Sequence, residues 1–469
     1  MSRRWIALGV LATTMLMTIL DGSIVTVAMP AIAEDLGFTP AGLSWIVNAY
    51  LIAFGSLLLL AGRLGDLLGR RRLFFAGTAL FTAASLLAGA ATTPAVLIAA
   101  RFLQGVGSAT ATAVSLGILV TLFTDARERS RAIAVYSFTG AAGAAIGQVA
   151  GGLLTDALGW HWIFLINLPI GVAALLAART LPADRGLGLA AGADVLGALL
   201  VTGGLVLGIY AVVTGHWSWA GSLAAVLLLS FVVRQKTARN PLMPLRIFRS
   251  REVSVANVVQ ALTVAACFAF QVLTAIYLQR VAGYDATQTG LAILPAAVVI
   301  GAVSLGLAAR LNARFGERKV LLTGLVMLIV MLGLLSRVPV HADYVTHLLL
   351  IMLLAGGFGL VLPALTTLGM SGAKADDAGL ASGVFNTTQQ IGMAIGVAVL
   401  STRAAARTGD LLSAGLGEPE ALTGGYRLAY AIGTGLLIVA LLLAYTLLRS
   451  SKPVSGVERV AVRAEVGAS

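Results

Sequence analysis

Charge is scarce in this sequence, and so is every side chain that builds a reactive centre. Only 11% of the residues are Asp, Glu, Lys or Arg, against about 25% in soluble globular proteins. A single cysteine, Cys267, excludes an intramolecular disulfide framework and thiolate metal clusters. The four histidines are scattered, so neither a metal site nor a cofactor is expected. The apolar stretches hold no dense set of His, Glu or Cys, so redox or hydrolytic chemistry is not expected and the chain does not read as an enzyme.

What is there instead is hydrophobicity: 58% apolar residues and a mean hydropathy of +0.94. That composition indicates an all-α polytopic membrane protein. A membrane span needs about 20 mostly apolar residues. Fourteen candidates fall near 7–30, 43–62, 73–93, 96–121, 133–155, 161–178, 194–213, 219–234, 253–276, 290–309, 320–336, 344–368, 378–402 and 427–448. The opening MSRRW and the apolar run behind it imitate a signal peptide. The run is too long for one and many spans follow, so it reads as a retained first helix.

Loop charge sets the orientation. With the N-terminus inside, 26 of the 32 Lys and Arg residues fall on or beside inward connections. The clusters at Arg70–Arg72 and Arg127–Arg131, and the run from Arg234 to Arg251, all lie there. The outward connections between helices 1 and 2, 3 and 4, 5 and 6, and 7 and 8 hold no basic residue. This is the positive-inside pattern, with both termini cytoplasmic. The net charge of +12 therefore belongs to loops lying against anionic lipid, and no nucleic-acid partner is expected.

The chain also repeats itself. GRLGDLLGRRR (62–72) fills the turn between helices 2 and 3, and ARLNARFGERK (309–319) the turn between helices 10 and 11. Their glycines, Gly69 and Gly316, hold the same place in two six-helix sets, so helices 1–6 match helices 9–14. This gives a 6 + 2 + 6 layout. The expected units are an N-terminal bundle (1–185), a two-helix insert (186–240), a C-terminal bundle (241–450) and a disordered cytoplasmic tail (451–469). Parallel six-helix halves are a transporter layout, suited to alternating access.

Several polar groups sit where water is scarce. Asp21 lies ~21 Å along helix 1 from its inner end, in its outer half, and an intramembrane acid is either compensated or used. Arg101, with Gln104 three residues on, lies in the outer half of helix 4, where it can snorkel or pair with Asp21, directly or through water and Gln104. Asp66 shares the inner 2–3 turn with Gly62, Arg63, Gly69, Arg70 and Arg71. It is either a weak surface salt bridge or a latch that meets the N-terminal end of helix 13. No GxxxxGKS/T phosphate loop lies there. Gly143, Gly147 and Gly151, with Gly152 beside them, give helix 5 a flat packing face or a hinge. Asn386, Gln389 and Gln390 in helix 13 are candidates for cavity lining or interhelix hydrogen bonding. Trp160 and Trp162 read as outer-interface anchors, with a local bend at Asn167–Pro169.

With those residues in hand, the chain resembles the fourteen-helix drug:proton antiporters of the major facilitator superfamily. The first-helix pattern is met by Leu20, Asp21, Val25, Val27, Ala28, Met29 and Pro30, and the inner-turn signature by Gly62, Arg63, Leu64, Asp66, Gly69, Arg70 and Arg71. Arg101, Gln104, Gly105 and Gly107 match helix 4, and Gly143, Gly147, Gly151 and Gly152 match helix 5. Position 148, usually proline in the family, is Gln148 here, a departure that bears on the antiport hinge and adds a candidate cavity amide beside Gln104. The resemblance implies exchange of protons for amphipathic or cationic small molecules across a bacterial cytoplasmic membrane, with Asp21 and Arg101 in proton coupling and the chain acting as a monomer. A dedicated exporter of one metabolite or self-made antibiotic, a proton-coupled importer and a non-transporting scaffold are the alternatives.

Overall fold

The computed structural model describes residues 3–40, 42–182, 184, 186–188, 192–371 and 378–448. The expected tail at 451–469 lies outside the described residues. Fourteen long helices follow one another, and no strand occurs among the described residues. The first six are α1 (Arg3–Leu36), α2 (Trp45–Leu68), α3 (Arg70–Gly89), α4 (Pro94–Leu122), α5 (Ala126–Leu158) and α6 (Trp162–Thr180). Next come α7 (Val195–Thr214) and α8 (Trp217–Thr237). The last six are α9 (Arg251–Arg280), α10 (Ala286–Phe315), α11 (Glu317–Leu335), α12 (Tyr344–Met370), α13 (Ala378–Ser413) and α14 (Glu418–Leu447). Thirteen of these are long and apolar enough to cross a bilayer. The exception is α13, which carries Asn386, Gln389, Gln390, Arg403, Arg407 and Asp410 along its length.

The expected spans at 161–178 and 219–234 form as helices over Trp162–Thr180 and Trp217–Thr237. α8 starts in a π-helical turn, Trp217–Gly221, and α6 is interrupted at Ile166, between Trp162–Leu165 and Asn167–Ala177. The repeated turn is the same object twice. Gly69 (φ 98°) and Gly316 (φ 84°) are both left-handed, a backbone state without penalty only for glycine. Their amides bond back to the Gly65 and Asn312 carbonyls.

Small residues set how closely the helices approach. A Cβ at Gly147 would fall 2.0 Å from Ser23 Oγ, and one at Gly151 2.7 Å from the Ile24 carbonyl, so α5 lies almost backbone to backbone on α1. Gly105 does the same for α4 against α2, and Gly107 for α4 against α3. Two seams join the six-helix sets. Gly55 of α2 faces Gln390 and Ile391 of α13, while Gly152 and Gly290 bring α5 against α10. The insert rests on α2 through a 2.8 Å hydrogen bond from Thr202 to Ser56.

Large apolar side chains remain exposed on the outer flanks, among them Leu229, Leu176 and Tyr445. Without an aqueous phase between helices and lipid there is no drive to bury them, and small residues make the contacts instead. Trp160 departs from the interface reading. It is buried, stacks on His161 and donates its indole N–H to Asp35 at 2.9 Å, pinning the start of α6 to the end of α1. Trp162, by contrast, is exposed.

Candidate functional site

α1 turns Leu20, Ser23 and Ile24 towards α5, which leaves Asp21 pointing the other way, between α4 and α6. There Arg101 Nη1 bonds directly to Asp21 Oδ2. Gln104 Nε2 donates to Asp21 Oδ1 at 3.1 Å, and Asn167 Nδ2 donates to the same oxygen at 2.9 Å. Three N–H donors thus converge on one carboxylate.

The guanidinium is held as firmly. Its Nε donates to the Ile46 carbonyl of α2 at 3.0 Å, and Nη1 also reaches Gln104 Oε1 at 2.9 Å. Its face covers the Tyr50 ring, 4.5 Å from the centroid, a cation–π contact strengthened by the lack of water. Gln104 extends the network to Ser85 of α3 at 2.8 Å, and Tyr50 continues it to Ser108 at 3.0 Å. Asp21, Gln104, Asn167 and Ser85 are fully buried, and Arg101 is 1% exposed. The close approach at Gly105 and Gly107 is what lets α4 side chains reach both α2 and α3.

The structure therefore brings together Asp21, Arg101 and Gln104. Asn167, read from sequence only as part of a bend, belongs to the same cluster, and Tyr50 and Ser85 carried no sequence signal. The sequence offered only the Asn-Leu-Pro bend as a hint of Asn167.

Other candidates lie elsewhere. Gln148 is buried at the α5–α10 seam, with Oε1 unpartnered among the described residues and its carbonyl against Gly290. Asn386 is exposed on α13 and donates to the Ser382 carbonyl at 3.0 Å, while Gln389 and Gln390 are half-buried. In the inner turn, Asp66 pairs with Arg70 at 3.1 Å, and Arg63 Nε donates to the Gly192 carbonyl at 3.1 Å. Asp184 accepts the Arg70 and Arg71 amides at the start of α3. Gly65 and Gly69 are needed for close packing or for φ, but Gly62 has open space beside it. Residues 372–377, ahead of α13, lie outside the described residues, so the expected Asp66 contact there is not on view.

Among the described residues, the side-chain hydrogen bonds between the two six-helix sets fall at the outer side. Asp156, near the outer end of α5, accepts from the Ala286 amide at 3.3 Å and from the Thr287 amide at 2.7 Å. It also takes the Thr287 hydroxyl at 2.5 Å. Gln279 of α9 donates to the Val27 carbonyl of α1 at 2.8 Å. These contacts tie the two sets together on this side.

Residues 11–397 match the family model described as Major Facilitator Superfamily. The chain is 36% identical over 463 residues to the puromycin resistance protein pur8 of Streptomyces alboniger, covering 96% of this chain and 92% of that protein. It is 37% identical over 409 residues to the cephamycin export protein CmcT of Amycolatopsis lactamdurans, covering 84% of each. Its backbone follows that of a bacterial homologue of the human lysosomal transporter Spinster, with a TM-score of 0.69 at 16% identity, over 96% of this chain and 99% of that one. A multi-pass protein of the bacterial cytoplasmic membrane that moves small molecules by alternating access, the chain belongs to the Major Facilitator Superfamily, in the branch that includes antibiotic-resistance exporters.

Proposed function

We propose that the protein exports amphipathic or cationic drug-like molecules in exchange for protons, and that Asp21 with Arg101 forms the coupling pair. The observation that carries this reading is the Asp21 carboxylate itself, fully buried and met by three N–H donors. In this reading a proton on Asp21 cancels the charge attraction that holds the Arg101 guanidinium and so loosens the pair. Proton uptake and movement of α4 against α1 are then one event. In the proposed cycle Asp21 takes a proton in the outward-facing state, substrate leaves, the halves rock, and loss of the proton to the cytoplasm restores the pair. The membrane potential contributes about 2.3 kcal/mol per charge per 100 mV to this exchange.

The remaining candidates take supporting roles in this reading. Asp66, with Gly62, Arg63, Gly69, Arg70 and Arg71, is an inner latch. Gly143, Gly147, Gly151 and Gly152 are the sliding or hinge face of α5, and Gln104, Gln148, Asn386, Gln389 and Gln390 supply polar groups to the substrate path. The division into bundles at 1–185 and 241–450 around an insert at 186–240 is supported by the matching turns at Gly69 and Gly316, and the unit is a monomer.

A second reading, export of one antibiotic only, is favoured by relatives named for puromycin resistance and cephamycin export. Proteoliposomes loaded with a panel of both antibiotics and several unrelated cationic dyes, with and without an imposed pH gradient, test the two. Gradient-driven movement of several compounds supports the broad exporter; movement of one supports the dedicated exporter. Movement indifferent to the gradient removes proton coupling.

A further inference from the structure

The inner corner between α3 and α6 holds a cavity beside the proposed latch, with Arg71 common to both. Its volume is about 560 Å3, and it is lined by Arg71, Arg72, Phe75, Ala178, Arg179 and Asp184. Asp184, the carboxylate in that lining, is already engaged, accepting the Arg70 amide at 2.7 Å and the Arg71 amide at 3.2 Å. The neighbouring Asp66 is taken by Arg70. Among the described residues, nothing accepts a hydrogen bond from the guanidinium groups of Arg71, Arg72 or Arg179. Three cations therefore face one occupied carboxylate, an excess of positive charge with donors to spare.

The apolar surroundings narrow the ligand. Arg72 and Phe75 are three residues apart on α3, while Val172, Leu176 and Arg179 follow at four and three residues on α6, so each helix carries a stripe ending in arginine. Phe75 (47% exposed), Val172 (50%) and Leu176 (64%) leave these stripes uncovered. The helices that bear them are tightly joined: a Cβ at Gly171 of α6 would fall 2.0 Å from Thr82 Oγ1 of α3. Loop charge puts the cationic ends at the cytoplasmic headgroup level and the stripes in hydrocarbon.

We propose that this corner binds an anionic phospholipid of the inner leaflet. Its phosphate lies among Arg71, Arg72 and Arg179, where forked guanidinium donors suit phosphate oxygens, and an acyl chain follows Phe75, Val172 and Leu176. A soluble phosphate would use the arginines but not the stripes. Because Asp184 ties the α6–α7 connection to the first amides of α3, the lipid also braces the 2–3 turn.

Native mass spectrometry of the purified full chain tests this, with phosphatidylglycerol and phosphatidylcholine of identical chains added in turn. Phosphatidylglycerol is expected to be retained more strongly, and Arg72→Gln/Arg179→Gln to weaken its retention by about thirtyfold. Arg239→Gln/Arg310→Gln removes equal charge from the same side of the membrane and should leave retention unchanged. If the paired variant gives no folded protein, each single variant carries the test at about fivefold. Equal retention of the two lipids, or equal loss in the control, overturns the site. Displacement of the lipid by excess inorganic phosphate overturns the lipid as its occupant.

Discussion

Asp21 of α1 and Arg101 of α4, 80 positions apart in the chain, bond directly in a site from which both side chains are shut off from solvent. A buried ion pair is a poor source of net stability, since desolvating two charges offsets most of their attraction. Its effect is conditional: each charge is tolerable only while the other is present. That makes the pair sensitive to protonation, and it makes the single variants informative.

Asp21→Asn keeps the shape and leaves Arg101 buried without its counter-charge, a loss of about 3–5 kcal/mol. Thermal unfolding in detergent should show a lowered midpoint, partly recovered in Asp21→Asn/Arg101→Gln. Gradient-driven export should be absent from both while the protein still reaches the membrane. Retained export in Asp21→Asn removes the coupling role. Arg101→Lys should not restore function, since an ammonium cannot span Asp21, Gln104 and the Ile46 carbonyl at once.

Asn167→Ala removes one of the two amide donors on Asp21 Oδ1. A hydrogen bond to a charged group contributes about 1.5–3 kcal/mol, and its loss leaves Asp21 to Arg101 and Gln104. Thermal unfolding in detergent should show a lowered midpoint and gradient-driven export should slow, with substrate affinity nearly unchanged. A loss of affinity with an unchanged unfolding midpoint would make Asn167 a substrate contact instead.

How legible this was differs by residue. Hydropathy was enough for the number of the helices, because a bilayer leaves few alternatives. Asp21 and Arg101 stood out because charge within a span is costly, and their depth placed them level. Asn167, Tyr50 and Ser85 did not stand out, since neutral polar residues occur throughout such spans and only packing decides which are aimed at the carboxylate. Asp156 was missed for a different reason: it sits at an exposed helix end, where acids are common, and its partners, two backbone amides and the Thr287 hydroxyl, lie more than a hundred residues away. Trp160 was misread because a tryptophan beside a span resembles an anchor whether or not it is covered.

Asp66→Ala removes the ion pair with Arg70 but leaves the Gly69 turn geometry in place. The side chains are partly exposed, so the static loss should be small, within about 1 kcal/mol. The expected effect is on turnover, several-fold down, with substrate Kd unchanged. Unchanged turnover with altered Kd would count against a latch.

Asp194 caps the first turn of α7 at the inner surface, accepting the Gly197 amide at 2.9 Å, Arg234 at 3.0 Å and Gln235 at 3.0 Å. Burial acts to raise its pKa, but these donors outweigh it and hold the carboxyl below its ordinary value. A depressed carboxyl stabilises the fold above its unfolded pKa and ceases to do so as pH falls through the folded one. Hydrogen-exchange protection in the first turn of α7, corrected for the intrinsic exchange rate, should therefore be flat at neutral to mildly acidic pH and fall only below about 4. Asp194→Asn should show raised exchange throughout. A rise in the native protein near neutrality would mean that another group controls the hairpin.

The contacts between the two sets on the outer side carry the last prediction. Asp156 holds two backbone amides and one hydroxyl at the start of α10, and a Cβ on Gly152 would lie 2.4 Å from the Ala286 carbonyl. Both contacts cross from one six-helix set to the other, so both exist only while the outer side is shut. Asp156→Ala removes the hold, and Gly152→Ala inserts a wedge. Neither change touches the Asp21 cluster. Each should favour the outward-open state, because destabilising one state by about 1–3 kcal/mol shifts a two-state population by roughly 5- to 150-fold. Spin labels on the outer ends of α5 and α10 should report longer distances in both variants, and a label pair within α1 and α5 should not change. Distances equal to the native protein's in both variants would mean that the outer seal is set elsewhere, at the α1–α9 contact made by Gln279.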